Sequence, residues 1–108
     1  MSTISIIRGD SKSLLVRVRR ADGTAESLED YSFRLTMKRR ATDSTVFHEI
    51  DGRVVEGGIS FNFLPSFTET LEQIPYPYDI EMYNADRTIV HTLVMGIITV
   101  TADIGGPA

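Results

Sequence analysis

Apolar and polar residues alternate with a period of two in segment after segment of this chain, and that alternation constrains the fold more than any other feature. Phe33, Leu35 and Met37 alternate with Arg34, Thr36 and Lys38; Ile59, Phe61 and Phe63 alternate with Ser60, Asn62 and Leu64; Tyr78, Ile80 and Met82 alternate with Asp79, Glu81 and Tyr83. Successive side chains of a strand point to opposite faces, so each segment predicts a strand with one face on a core and one in water.

The residues between these segments fit the same scheme. Leu14, Val16 and Val18 alternate with Leu15, Arg17 and Arg19, which predicts a strand over Ser13 to Arg19 with an arginine-bearing outer face. Asp22-Gly23 is a turn dipeptide, and Leu28 in the irregular stretch after it is expected to point inward. A polar loop is expected from Arg39 to Ser44, a short strand over Thr45 to Ile50 broken by Asp51-Gly52, and a weak strand over Arg53 to Glu56. Pro65 ends the strand before it, because proline has no amide donor for a central ladder. One helical turn is expected over Phe67 to Gln73, with Thr68 and Glu69 suited to capping it. After the Asn84-Ala85-Asp86-Arg87 turn, runs from Thr88 to Met95 and from Ile97 to Ala102 flank Gly96, which reads as a three-stranded meander with Tyr78 to Tyr83.

The whole chain, 1–108, is expected to form one all-β domain, with the last residues from about Gly105 as a frayed tail. Short strands with turn signals at regular spacing predict an immunoglobulin-like antiparallel β-sandwich of about seven to eight strands, with a small barrel as the competing architecture. The expected core is Val16, Val18, Phe33, Leu35, Ile59, Phe61, Tyr78, Ile80 and Val100.

Composition narrows the function classes. With 42% hydrophobic and 24% charged residues the chain belongs with globular proteins, not disordered ones. The absence of cysteine excludes disulfides, thiolate metal sites and thiol nucleophiles. No apolar run has the length of a membrane helix, and Met1 to Asp10 lacks the pattern of a secretory leader, so no membrane partner and no export are expected. A net charge of −4 argues against a nucleic-acid partner.

No motif carries reaction chemistry, and neither an enzymatic activity, a cofactor nor a small-molecule substrate is expected. His48 and His91 are not at metal-ligand spacing, and Glu49 points away from His48 on its strand; both histidines are expected on solvated faces. Gly58-Ile59-Ser60 lacks the elbow of a serine nucleophile. Asp79 and Glu81 share a strand face but give no reason for a raised pKa, so solvation is the expected role. Arg8-Gly9-Asp10 reads as a turn, in which glycine supplies the φ freedom and the aspartate side chain closes it.

Arg17 and Arg19 on one strand, and Arg34 and Lys38 on the next amphipathic strand, all project outward by the period-two argument. If the two strands share a sheet, these residues make a basic stripe, suited either to blocking edge aggregation or to docking an acidic protein partner.

An ordered series of features has a counterpart elsewhere: Arg8-Gly9-Asp10 before a strand, Asp22-Gly23 with Leu28 following, Tyr76-x-Tyr78-Asp79-Ile80, and Thr92-Leu93-x-x-Gly96-x-x-x-Val100. The series resembles small virion proteins of tailed bacteriophages with an immunoglobulin-like sandwich, and is most similar to the N-terminal domain family of phage baseplate upper proteins. The resemblance runs from about Ile4 to Ile104 and implies a structural adaptor that docks onto other virion proteins, with no catalytic or ligand residues. Members usually continue into a receptor-binding or fibre-carrying region; with no such region after Ala108, a free-standing adaptor in the tail, neck or baseplate is expected. Such a protein is made in the bacterial cytoplasm and ends in the virion, with other virion proteins and its own copies as partners. A capsid decoration protein is the sibling expectation. A carbohydrate-binding module is the alternative from another class, with Tyr31, Tyr76 and Tyr83 as its only aromatic platform.

Overall fold

The computed structural model describes residues 2–17, 31–40, 42–56 and 58–102. The alternating segments form strands over their described residues, the one expected over Ser13 to Arg19 ending at Val16. In chain order the elements are β1 (Ser2–Ile7), β2 (Lys12–Val16), β3 (Ser32–Met37), β4 (His48–Asp51), β5 (Arg53–Val55), β6 (Gly58–Phe63), α1 (Pro65–Thr68), β7 (Tyr76–Tyr83) and β8 (Val90–Thr101). They assemble into a five-stranded sheet of order β1-β8-β7-β3-β4 and a three-stranded sheet of order β2-β6-β5; these are called the large and the small sheet below. The fold is an all-β sandwich.

The core is what the alternation buries. From the large sheet come Ile4, Ile6, Phe33, Leu35, Met37, Tyr76, Tyr78, Ile80, Met82 and Ile98; Ile59, Phe61 and Phe63 meet them from the small sheet. Leu71, beyond α1, closes one end, and Leu14, Val16 and Val100 pack at the margin. Six of the expected core residues, Phe33, Leu35, Ile59, Phe61, Tyr78 and Ile80, are therefore buried, with Val16 and Val100 partly buried at the edge; Val18 lies outside the described residues, as do the Asp22-Gly23 turn and Leu28.

Four expectations are corrected. First, the expected meander is a two-stranded hairpin, because β8 runs without interruption through Gly96. Gly96 is buried opposite Tyr78, and a strand glycine marks a close approach as often as a break. A bulge between Ile80 and Glu81 adds Leu93 to the β8 side, so Leu93 and Val94, though adjacent, both pack against the core.

Second, the sandwich is not wholly antiparallel. β1 pairs with β8 in parallel, from Ser2 opposite Gly96 to Ile7 opposite Thr101. After β1 the chain crosses into the small sheet as β2 instead of turning back in a hairpin, which leaves β1 free to run alongside β8.

Third, the helical turn begins earlier than expected. Pro65 opens it at a position where the missing amide is no loss, with Leu64 at the N-cap. Thr68 and Glu69 do not cap its start. Thr68 is fully buried instead, and its hydroxyl donates to the Asp10 carbonyl oxygen (2.7 Å) and accepts from the Gly9 amide (3.1 Å).

Fourth, the Arg8-Gly9-Asp10 turn closes through the main chain and not the aspartate side chain. The Asp10 amide donates to the Ile7 carbonyl oxygen at 3.0 Å, and Gly9 takes a φ of 89°. With Thr68 as its fastening and Arg8 Nε donating to the Glu69 carbonyl oxygen at 3.0 Å, this tripeptide is a structural clasp between β1 and α1.

Candidate functional site

Seen from outside, the large sheet carries the polar halves of β3, β4 and β7 side by side. Register sets Arg34 opposite Glu81 and Asp51, Thr36 opposite Asp79 and Glu49, and Asp79 opposite Met95 of β8. The face thus mixes acids of β4 and β7 with the cation Arg34 of β3 and the protruding apolar Met95 of β8.

The expected basic stripe does not form. β2 belongs to the small sheet and β3 to the large one, so Arg17 is separated from Arg34 and Lys38 by the thickness of the sandwich. The premise that both strands share a sheet fails because β1, not β2, fills the edge of the large sheet. Arg19 lies outside the described residues.

Arg34 and Lys38 are also engaged locally. Arg34 Nε lies 3.2 Å from Glu49 Oε2 and 3.4 Å from Asp51 Oδ1. The hydrogen bond that Arg34 Nε donates to Asp51 Oδ1 is the chief cause that holds the guanidinium above its ordinary pKa. Its guanidinium carbon sits 5.7 Å from the centre of the Tyr83 ring, and that of Arg87 sits 4.4 Å from the same ring. Lys38 Nζ donates to the Asp43 carbonyl oxygen at 2.8 Å.

Beside Lys38 lies a groove of about 130 Å³, lined by Thr36, Lys38, Pro77, Tyr78, Asp79 and Met95. Met95 is 64% exposed. Asp79 is the unusual member. Its Oδ1 is covered and has no hydrogen-bond partner. Burial pushes the Asp79 carboxyl above its ordinary pKa, the nearby Glu81 charge adds to the rise, and Lys38 opposes it. An ionised carboxylate with a covered, unpartnered oxygen is costly to keep. The expectation that no acid here has reason for a raised pKa is therefore corrected at Asp79.

Sequence reasoning placed Asp79 beside Glu81 on one outer strand face and stopped at solvation. What it lacked was the neighbour across the ladder. Met95 of β8 stands opposite Asp79 only because the β7–β8 register is set by a turn of particular length and by the bulge. The one available signal was Pro77, Asp79 and Glu81 at alternate positions of a single strand face.

A second cleft opens at the other end of this face, lined by Tyr31, Ser32, Phe33, Arg34, Asp51, Gly52, Val54 and Tyr83. It brings together two of the tyrosines considered as a sugar platform. The third, Tyr76, is fully buried: its ring stacks on Phe47 at 5.2 Å, and its hydroxyl accepts from the Glu72 amide at 2.9 Å. Tyr83 offers little free ring face with Arg34 and Arg87 both over it.

The histidines separate. His91 is exposed. His48 is half-buried, and its ring stacks on Phe67 with centroids 3.7 Å apart and planes 13° from parallel, so the solvated face expected for it is corrected. Burial lowers its pKa against an opposing pull from Glu49. Among the described residues no group of three or more histidines and acids is placed to hold a metal ion. None of the described helices is long and apolar enough to cross a membrane.

The protein-family models and the curated proteins compared with the chain yield no match.

Proposed function

We propose that the chain is a non-enzymatic interaction module, a structural adaptor in the tail, neck or baseplate of a phage or prophage virion, and that it docks through the outer face of the large sheet around Asp79 and Met95. The observation that carries the docking face is Asp79, whose covered Oδ1 lacks a donor while it lines a groove beside a methionine that is 64% exposed. Neither feature serves the isolated fold. A partner cation over the groove would offset the charge of the carboxylate, and an apolar contact would cover Met95.

The strand order supports the immunoglobulin-like reading of the sandwich. In that reading β3, β7 and β8 correspond to strands C, F and G, β4 to the added strand C′, and β2, β6 and β5 to B, E and D. The virion assignment itself rests on the resemblance of the turn and core series from Ile4 to Ile104. The carbohydrate alternative is the weaker one, since Tyr76 is buried and two guanidinium groups cover Tyr83.

The test is to purify particles of the phage or prophage that encodes the chain, separate tails from capsids, and quantify the protein by mass spectrometry. Stoichiometric presence in the tail fraction, lost with Met95→Arg at unchanged thermal stability, is the expected result. Presence in the capsid fraction would favour a decoration role. Absence from particles would reject the virion reading, and full incorporation of Met95→Arg would reject this docking face.

A further inference from the structure

The two sheets turn their outer faces in opposite directions, and the two faces are complementary. On the small sheet, Leu15 is 47% exposed and Arg17, the next residue but one, is exposed too. Register puts Leu15 opposite Ser60 and Ser60 opposite Arg53. The short Ser60 therefore lies in a trough between an aliphatic and a cationic side chain. Ser13 and Asn62 continue the trough, joined by a 2.9 Å hydrogen bond from the Ser13 hydroxyl to Asn62 Oδ1. On the large sheet the relief is reversed: Met95 stands proud, with the Asp79 carboxyl directly across the ladder and Glu81 two residues further on.

We propose that copies of this chain associate head to tail, the Met95–Asp79 groove of one seated on the Leu15–Arg17 trough of the next. Apolar Met95 meets Leu15 above Ser60, and the Arg17 guanidinium meets the Asp79 carboxylate. Lys38 fills that role only in part: its charge acts on Asp79, but its ammonium donates to the Asp43 carbonyl oxygen at 2.8 Å and Asp79 Oδ1 stays without a hydrogen-bond donor. The two patches lie on opposite sides of the sandwich, so after pairing one copy keeps its free trough and the other its free groove. Such a contact is heterologous: it closes into a ring if the rotation permits and otherwise extends. This inference rests on the reading of the groove as a docking face and names its occupant as a second copy.

Two variants at exposed positions separate the halves of the contact: Met95→Arg disables the groove, and Leu15→Ser with Arg17→Ser disables the trough. The measurement is sedimentation velocity of the full chain over a wide concentration range at low and high salt, with thermal melting to verify folding. The wild type is expected to sediment faster as concentration rises, less so at high salt, where exposed charges are screened. Each variant alone should associate about tenfold or more weakly, the loss typical of one close interfacial charge pair. An equimolar mixture of the two variants should form a 1:1 dimer that grows no further, because each supplies the patch the other lacks. A wild type that stays monomeric at every concentration in low salt overturns the proposal. So does undiminished association of either variant, or a mixture of folded variants that remains monomeric. If the wild type is monomeric but Met95→Arg still abolishes incorporation into particles, the docking face stands and only the second copy as its occupant is lost.

Discussion

Gly52 sits where the chain leaves β4 in the large sheet and enters β5 in the small one, and replacing it with alanine tests how tightly the two sheets meet there. A Cβ at this position would lie 2.6 Å from Ile59 Cγ2, 2.8 Å from the Phe61 ring tip and 2.9 Å from Phe33 Cβ. Ordinary carbon contacts are about 3.5 to 4.0 Å, so three core side chains from both sheets must each give way by more than half an ångström. The Phe61 ring tip could move, but Ile59 Cγ2 is bonded directly to its Cβ, and Phe33 Cβ is fixed to a backbone that is itself tied by the Gly52 amide donating to the Phe33 carbonyl oxygen at 2.8 Å. Overpacking of this kind costs about 1 to 3 kcal/mol, and the anchored third contact places Gly52→Ala at about 2 to 3. For a domain of this size each kcal/mol moves the melting temperature by roughly 4 to 8 °C, so a drop of about 10 °C or more is expected by calorimetry or circular dichroism. Gly9→Ala is the control with the opposite cause: nothing lies within 4 Å of its Cβ, but φ is 89°, so its cost is backbone strain of about 1 to 2 kcal/mol. Shortening Phe61 to leucine should recover part of the Gly52→Ala loss, since the two side chains compete for one space. A Gly52→Ala melting temperature within about 3 °C of wild type, on the same scale, would refute the packing argument.

Further outcomes follow from the core and from Asp79 and His48, the two side chains whose pKa is shifted chiefly by burial. Phe61→Ala, at a position with no exposed surface, should cost about 3 to 5 kcal/mol in urea unfolding; a near-neutral result would remove Phe61 from the centre of the core. Asp79→Asn should stabilise the fold at neutral pH. The folded-state pKa of Asp79 is raised, so the carboxyl binds its proton more tightly folded than unfolded, and wild-type stability falls as pH rises from 3.8 through the folded value. Melting curves of the two proteins should therefore converge at acid pH below that window and separate above it; equal curves at pH 7 would count against the unpartnered carboxylate. His48 has the opposite linkage. Its pKa is lowered by burial, so its contribution is fully present above pH 6.5 and is lost as pH falls through the folded value. His48→Phe, which keeps a ring against Phe67, should flatten this acid-side loss in a pH series of melts, and an unchanged slope would contradict it.

What the sequence determined by itself was the set of strands in which apolar and polar residues alternate cleanly; β1, whose Ile4 and Ile6 are buried, was not among them. Alternation placed β3, β6 and β7 and named Phe33, Leu35, Ile59, Phe61, Tyr78 and Ile80 as core, because a period of two needs no knowledge of neighbours. The Asn84 to Arg87 turn was legible for the same local reason: the Asn84 side chain accepts from the Ile89 amide, and Asp86 accepts from the Thr88 amide. Only the tertiary structure decided which strands share a sheet. Arg17, Arg34 and Lys38 looked like one stripe because outward direction is a property of a strand, whereas sharing a face is a property of a sheet. The continuity of β8 through Gly96 depended on Tyr78 opposite it, and the burial of His48 on Phe67 arriving from α1. The groove belongs to the same class. Asp79 is an ordinary surface acid until the ladder sets Met95 across from it, since register is fixed by long-range pairing and by one bulge, and no local pattern of residues contains either.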